Sequence, residues 1–195
     1  RGTGSNHVVV EDVFVPEDLT CDLVNPPPVH SSPQYKHWPL WNANMAGLPL
    51  GMAREALAIV KERSLKKRTP TGARVAESVY VRQTVAHATA RLESVRAYYY
   101  KSLEDLWSSC EAGNSPTLEQ RAHWRLSLTY TFDTCFEVVS SLFKISGASS
   151  LYTGDPLERI MRNMTTANQH INASVRSYEL TGQMLFGDDP QTMYF

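Results

Sequence analysis

From Ala73 to Glu111 the chain carries neither glycine nor proline, and the same holds from Thr117 to Ser146. Glycine is too free and proline breaks the hydrogen-bond ladder, so long segments that exclude both are helix material. A helix over 73–111 would run on the order of 55 Å at 1.5 Å per residue. The pattern predicts four helices, roughly 41–65, 73–111, 116–146 and 156–186. Thr69-Pro70 and Gly72 part the first two, Gly113, Asn114, Ser115 and Pro116 the next two, and Gly147 and Gly154 bracket the last loop. Asp155-Pro156-Leu157-Glu158 is a helix start: an acid at the N-cap, proline at the first helical position and a glutamate three residues after the cap. Long helices joined by short loops pack as antiparallel neighbours. The expected fold is all-α, an up-down four-helix bundle over residues 38–195.

Residues 1–37 follow a different regime. VVVEDVFV, residues 8–15, is β-branched and aromatic and stops at Pro16, which is strand composition. Six of the eleven prolines then fall between residues 16 and 39, an extended connector. A lone strand has no partner to pair with, so this stretch reads as the end of a β-domain, and the chain, which opens on Arg1, as a piece of a longer protein.

Composition narrows the functional classes. Nineteen Lys and Arg against twenty Asp and Glu leave a net charge of −1, which gives no electrostatic reason to expect nucleic acid or an anionic membrane. The run Lys66-Lys67-Arg68 reads as a solvated helix end. No apolar stretch reaches the ~20 residues of a membrane span. Cys21, Cys110 and Cys135 are odd in number and far apart, without metal-ligand spacing. They read as free thiols of a reducing, cytoplasmic setting, and no metal is expected.

On a continuous last helix, Leu157, Ile160, Met164, Ile171, Val175, Tyr178 and Leu185 form a core stripe. Arg162, Gln169, Asn172, Arg176 and Glu179 form a solvent side. Between them runs a strip of mostly small, polar residues: Arg159, Asn163, Thr166, His170, Ser174, Ser177 and Thr181. Lys and Glu are better helix formers than these, so the strip suits a subunit interface or ligand pocket, or a polar helix–helix seam with His170 as a bystander. Aromatic Tyr130, Phe132, Phe136 and Phe143 on the third helix read as core. Tyr98-Tyr99-Tyr100 covers much of one turn, so one or two of these rings are expected at the surface or against another subunit.

Two stretches carry a family resemblance. RGTGSNHVVVEDVFVPE resembles the end of the β-domain in the acyl-CoA dehydrogenase superfamily. SGASSLYTGDPLERIMRNMTTANQH resembles the flavin-contacting loop and final helix of that superfamily's C-terminal bundle. The branch it looks most like is that of flavin-dependent monooxygenases, which includes aromatic hydroxylases such as the oxygenase component of 4-hydroxyphenylacetate hydroxylase and dibenzothiophene monooxygenase.

The resemblance implies a homo-oligomer, a tetramer held by these bundles. It implies reduced flavin, FMN or FAD, delivered by a separate flavin reductase, and a small aromatic or polycyclic substrate hydroxylated with O2. By position it implies that Ser146, Gly147, Ala148, Ser149 and Ser150 match the loop that approaches the flavin. It places a phosphate-binding arginine at Arg63, with Arg68 as the alternative. It also implies an active-site role for His170, as a base toward a phenol or as a hydrogen-bond donor to the activated oxygen. Arg162-Asn163 stands where relatives usually carry Arg-Asp, and His7 stands where aspartate is common. Two other readings stay open: an FAD-dependent acyl-CoA dehydrogenase, which needs a carboxylate base in the last segment, and a non-catalytic oligomerisation fragment.

Overall fold

The computed structural model describes residues 6–21 and 30–190, with the side chains of Lys36, Trp38 and Pro39 left aside. A short helix α1 (Pro33–Lys36) leads through a 3-10 segment, Trp38–Asn44, into α2 (Gly47–Lys66). Two long helices follow, α3 (Val79–Glu111) and α4 (Leu118–Ser146), and then α5 (Pro156–Ala167) and α6 (Val175–Leu185). The helical boundaries follow the Pro and Gly punctuation closely. No helix among the described residues is long and apolar enough to cross a membrane.

Helix α4 is the axis of the domain, packed against α2, α3, α5 and α6. Such a helix must bury most of its surface, and its sequence does so. Trp124, Leu128, Phe132, Cys135, Val138, Val139 and Leu142 are all buried, and so are Ser127, Thr129, Thr131 and Thr134. Two of these hydroxyls are satisfied within the helix itself: Ser127 donates to Trp124 O and Thr131 to Ser127 O. Each large apolar side chain buried here contributes about 1.5–3 kcal/mol. The start of α4 is fixed by a capping box: Thr117 Oγ1 accepts from Gln120 N at 3.1 Å, and Gln120 Oε1 accepts from Thr117 N at 2.9 Å. The Gln120 amide also donates to Ser109 Oγ and Asp105 O, tying this start to the end of α3.

Helix α3 buries Ala88, Leu92, Val95, Tyr99 and Leu106 along one face. The Tyr99 ring packs against Trp124, with centroids 5.5 Å apart, and its hydroxyl donates to Ala43 O. Of the three consecutive tyrosines, Tyr99 is core and Tyr98 is half-buried on His123. Tyr100 lies at the surface beneath Arg96.

Two expectations change. Residues 8–15 lie exposed and join no ladder, since no strand is present among the described residues to pair with them. The last helix is not continuous: α5 ends at Ala167, a 3-10 turn covers Ile171–Ala173, and α6 begins at Val175. The stripes therefore lose their phase. Leu157, Ile160 and Met164 are core as expected, but Ile171 and Val175 are exposed, Val175 by 81%. Asn172, expected on the solvent side, is 2% exposed, and α6 buries Ser177, Thr181 and Met184 instead.

The break has a chemical cause. TTANQHINAS is rich in residues whose side chains compete for backbone groups. His170 Nδ1 accepts from Asn172 N at 3.2 Å and Ser174 Oγ from Arg176 N at 3.3 Å, so His170 caps the 3-10 turn and Ser174 caps α6. From α4, Thr129 Oγ1 donates to Asn172 O at 2.7 Å, and Arg125 reaches Ile171 O. These bonds satisfy carbonyls that a continuous helix would have used itself.

Candidate functional site

Two regions of α4 gather the residues singled out in the sequence. The first is a cleft of about 470 Å³ where the end of α2 meets the end of α4 and the start of α5. Arg63, Lys67, Ser146, Gly147, Ser149 and Asp155 all line it. Gly147 sits at φ 76°, a left-handed conformation that side chains resist, and turns the chain out of α4. A Cβ at that position would lie 3.8 Å from Lys67 Nζ.

The polar groups of this cleft divide into those already used and those on offer. Arg63 Nη1 donates to both Asp155 carboxylate oxygens, at 3.1 and 2.8 Å, so its charge is already matched. Asp155 also caps α5 by accepting from Leu157 N at 2.8 Å. Burial pushes its carboxyl pKa up, but the Arg63 and backbone hydrogen bonds and the Arg63 charge outweigh this and hold it below the ordinary value. Ser146 Oγ donates to Leu142 O and Ser150 Oγ to Gly147 O, so these two hydroxyls shape the loop. Lys66 is paired with Glu62. The Lys67 ammonium has no ion-pair partner among the described residues, and the Ser149 hydroxyl is exposed. An unmatched cation beside a glycine turn and a hydroxyl suits a phosphate. Arg68 is turned elsewhere, donating to Gly72 O.

The sequence reading gave the phosphate-binding role to Arg63 and took Lys67 only as part of a solvated helix end. Its only signal was its place in the basic run, next to the end of α2. Asp155 was read as a cap and is also the partner that occupies Arg63.

The second region surrounds His170, at the helix break. Its ring lies nearly parallel to Phe132, at 12° with centroids 6.3 Å apart. Since Nδ1 accepts a backbone N–H, the neutral ring carries its proton on Nε2. Burial, then the charge of Arg125, hold the imidazole pKa below its ordinary value, so it is neutral at pH 7. Arg125 is 4% exposed and donates to Asn172 Oδ1 at 2.6 Å and Ser177 Oγ at 2.8 Å. The sequence pattern gave no sign of this network, because the wheel put Asn172 on the solvent side of a continuous helix and Arg125 was not singled out. No group of three or more His, Cys, Asp or Glu that could hold a metal occurs among the described residues.

From Phe132 to Ser146 the two regions are roughly 20 Å apart along α4. The structure therefore brings Arg63, Ser146, Gly147, Ser149 and Ser150 together, and His170 stands apart from them.

The helical arrangement and its loop match a known family, described as acyl-CoA dehydrogenase, C-terminal domain, over residues 43–175. The chain belongs to this family. Among curated proteins it is 32% identical to an indole-3-acetate monooxygenase of Pseudomonas putida, over 99% of the chain and 50% of that protein. It is 28% identical to the flavin-dependent monooxygenase oxygenase subunit HsaA of Rhodococcus jostii, over 96% of the chain and 52% of that protein. The chain thus spans about half the length of the curated relatives it matches. Among solved structures, the 3-HSA hydroxylase of Rhodococcus sp. RHA1 shares the fold with a TM-score of 0.86 at 24% identity, covering 100% of the chain and 52% of its own. XiaF from Streptomyces sp., solved with FADH2 and glycerol, does so with a TM-score of 0.80 at 19% identity, covering 94% and 49%.

Proposed function

We propose that this chain is the C-terminal bundle of the oxygenase component of a two-component flavin-dependent monooxygenase. The whole enzyme would hydroxylate an aromatic or polycyclic substrate in the cytoplasm, using O2 and reduced flavin from a separate reductase. Residues 1–37 would close a β-domain, and the bundles would assemble a homotetramer. A separation of ~20 Å between cleft and His170 suits an extended flavin nucleotide, or two active sites of one assembly that share a helix. The flavin supplies the oxygen-activating chemistry when bound. The cleft around Lys67 and Gly147 would hold its phosphate, with Ser149 as a further donor and Arg63 held in reserve by Asp155.

The observation that carries this reading is the state of His170. It is a neutral imidazole with Nδ1 engaged and Nε2–H remaining, standing on an aromatic ring and itself exposed at the helix break. A general base at Nε2 would need a lone pair there, and so a proton on Nδ1 facing the Asn172 N–H. The observed tautomer therefore favours hydrogen-bond donation to an oxygen over proton abstraction. The dehydrogenase reading requires a carboxylate near the reacting carbon. Glu179, the acid on α6, is exposed and lies in the second turn of that helix, past the break.

The test uses the full-length protein mixed anaerobically with reduced flavin, then with O2, followed by absorbance. A transient that precedes oxidised flavin, with a lifetime shortened in His170→Gln, is expected. Flavin that stays oxidised until an acyl-CoA thioester bleaches it would establish the dehydrogenase instead.

A further inference from the structure

We infer that Arg125 is a positioning residue for His170: it fastens the helix break so that the Asn172 amide stays on Nδ1 and only Nε2–H faces outward. This deepens the role proposed above for His170 and rests on it for its functional meaning.

The geometry is specific. Arg125 lies on buried α4 and sends one guanidinium nitrogen to Asn172 Oδ1 at 2.6 Å. The other goes to Ser177 Oγ at 2.8 Å and, more weakly, to Ile171 O at 3.4 Å. These acceptors lie in the 3-10 turn and the first turn of α6, the two segments that come after His170. One rigid fork thus sets the angle between them. Thr129, one turn along α4, holds Asn172 O at 2.7 Å. Asn172 is gripped at its side chain and its carbonyl, which leaves its N–H a fixed direction, toward His170 Nδ1. Phe132, a further turn along the same helix face, fixes the plane of the ring.

Arg125 has a second effect on the same ring. After burial, its charge acts on the imidazole and lowers the ring's pKa. It disfavours a second proton on the ring, which would have to sit on Nδ1 against the Asn172 N–H. Hydrogen bonding and charge therefore select the same state.

A purely structural staple would hold the fold without setting the tautomer, and side-chain nitrogen NMR separates the two. The measurement uses ¹⁵N-labelled full-length protein, with the His170 signals assigned by their loss in His170→Gln. In the wild type, Nδ1 is expected as an unprotonated nitrogen and Nε2 as protonated, with a titration midpoint below that of an ordinary histidine. Arg125→Gln should give mixed tautomers and a midpoint nearer the ordinary value. Arg125→Lys keeps the charge but not the fork, so it should loosen the tautomer and leave the midpoint low. A single Nε2–H tautomer and an unmoved midpoint in Arg125→Gln would overturn the inference. Should Arg125→Gln fail to fold, Ser177→Ala removes one acceptor and decides the matter: averaged nitrogen signals support the role, and wild-type signals end it. If His170→Gln leaves the oxygen-dependent flavin transient unchanged, the proposed function loses its residue while the tautomer result stands on its own.

Discussion

Replacing Asp155 separates a helix cap from an ion pair, because one carboxylate serves both. Asp155→Ala removes the cap on Leu157 N, worth about 1 kcal/mol. It also removes the pair with Arg63, whose side chain is 37% exposed; solvent screening limits that pair to about 1 kcal/mol at most. The sum is about 2 kcal/mol, and for a chain of this size each kcal/mol moves Tm by about 2–4 °C. Asp155→Ala should therefore lower Tm by about 4–8 °C. Asp155→Asn keeps a good cap and should lose no more than about half of that. The pH dependence has a definite sign. The folded carboxyl pKa lies below its unfolded value of 3.8, so the pair's stability is present above that value and is lost as pH falls through the folded pKa. The difference between wild type and Asp155→Asn should shrink on acidification below pH 4. Thermal unfolding monitored by circular dichroism checks this. A difference that persists unchanged well below the folded pKa, or Asn as damaging as Ala, would refute the division into cap and charge.

Other expectations rest on the same geometry. Lys67→Ala should weaken binding of inorganic phosphate or flavin phosphate more than Arg63→Ala does, as read by calorimetry, since Asp155 already engages Arg63. Gly147→Ala should cost about 1–3 kcal/mol through its positive φ and extended ψ and not through a clash, a Tm loss of about 2–12 °C. Thr117→Ala, which opens the capping box of α4, should cost about 1 kcal/mol, measured by denaturant unfolding. Iodoacetamide at pH 8 should label exposed Cys21 in the native protein and spare Cys135, which is buried with its thiol pushed up to about 12; rapid native labelling of Cys135, seen by mass spectrometry, would contradict that burial.

The helices were legible because their ends are written in local chemistry. Pro116 and Gly147 bracket α4, and Asp155-Pro156 starts α5 where the cap pattern put it. The break at residues 168–174 was not legible by the same means. A wheel counts phase along one helix, whereas the break is held by Arg125 and Thr129, more than forty residues upstream. His170 was singled out through resemblance. Its tautomer depends on a backbone direction that no spacing encodes. In the cleft, Ser146, Gly147 and Ser149 do lie beside Arg63, but which cation stays available depends on Asp155 reaching Arg63 across 92 positions of chain.

The uninterrupted course of α4 from Phe132 to Ser146 makes the helix a ruler between its two regions, graduated in residues. One residue inserted there would lengthen the spacing by only 1.5 Å but would swing one region about 100° around the axis relative to the other. The smallest change that brings the facing back to within about 20° is seven residues, and it shifts the spacing by roughly 10 Å. The length of this segment is locked as a unit, so sequences that share the arrangement should differ here by substitution and not by insertion.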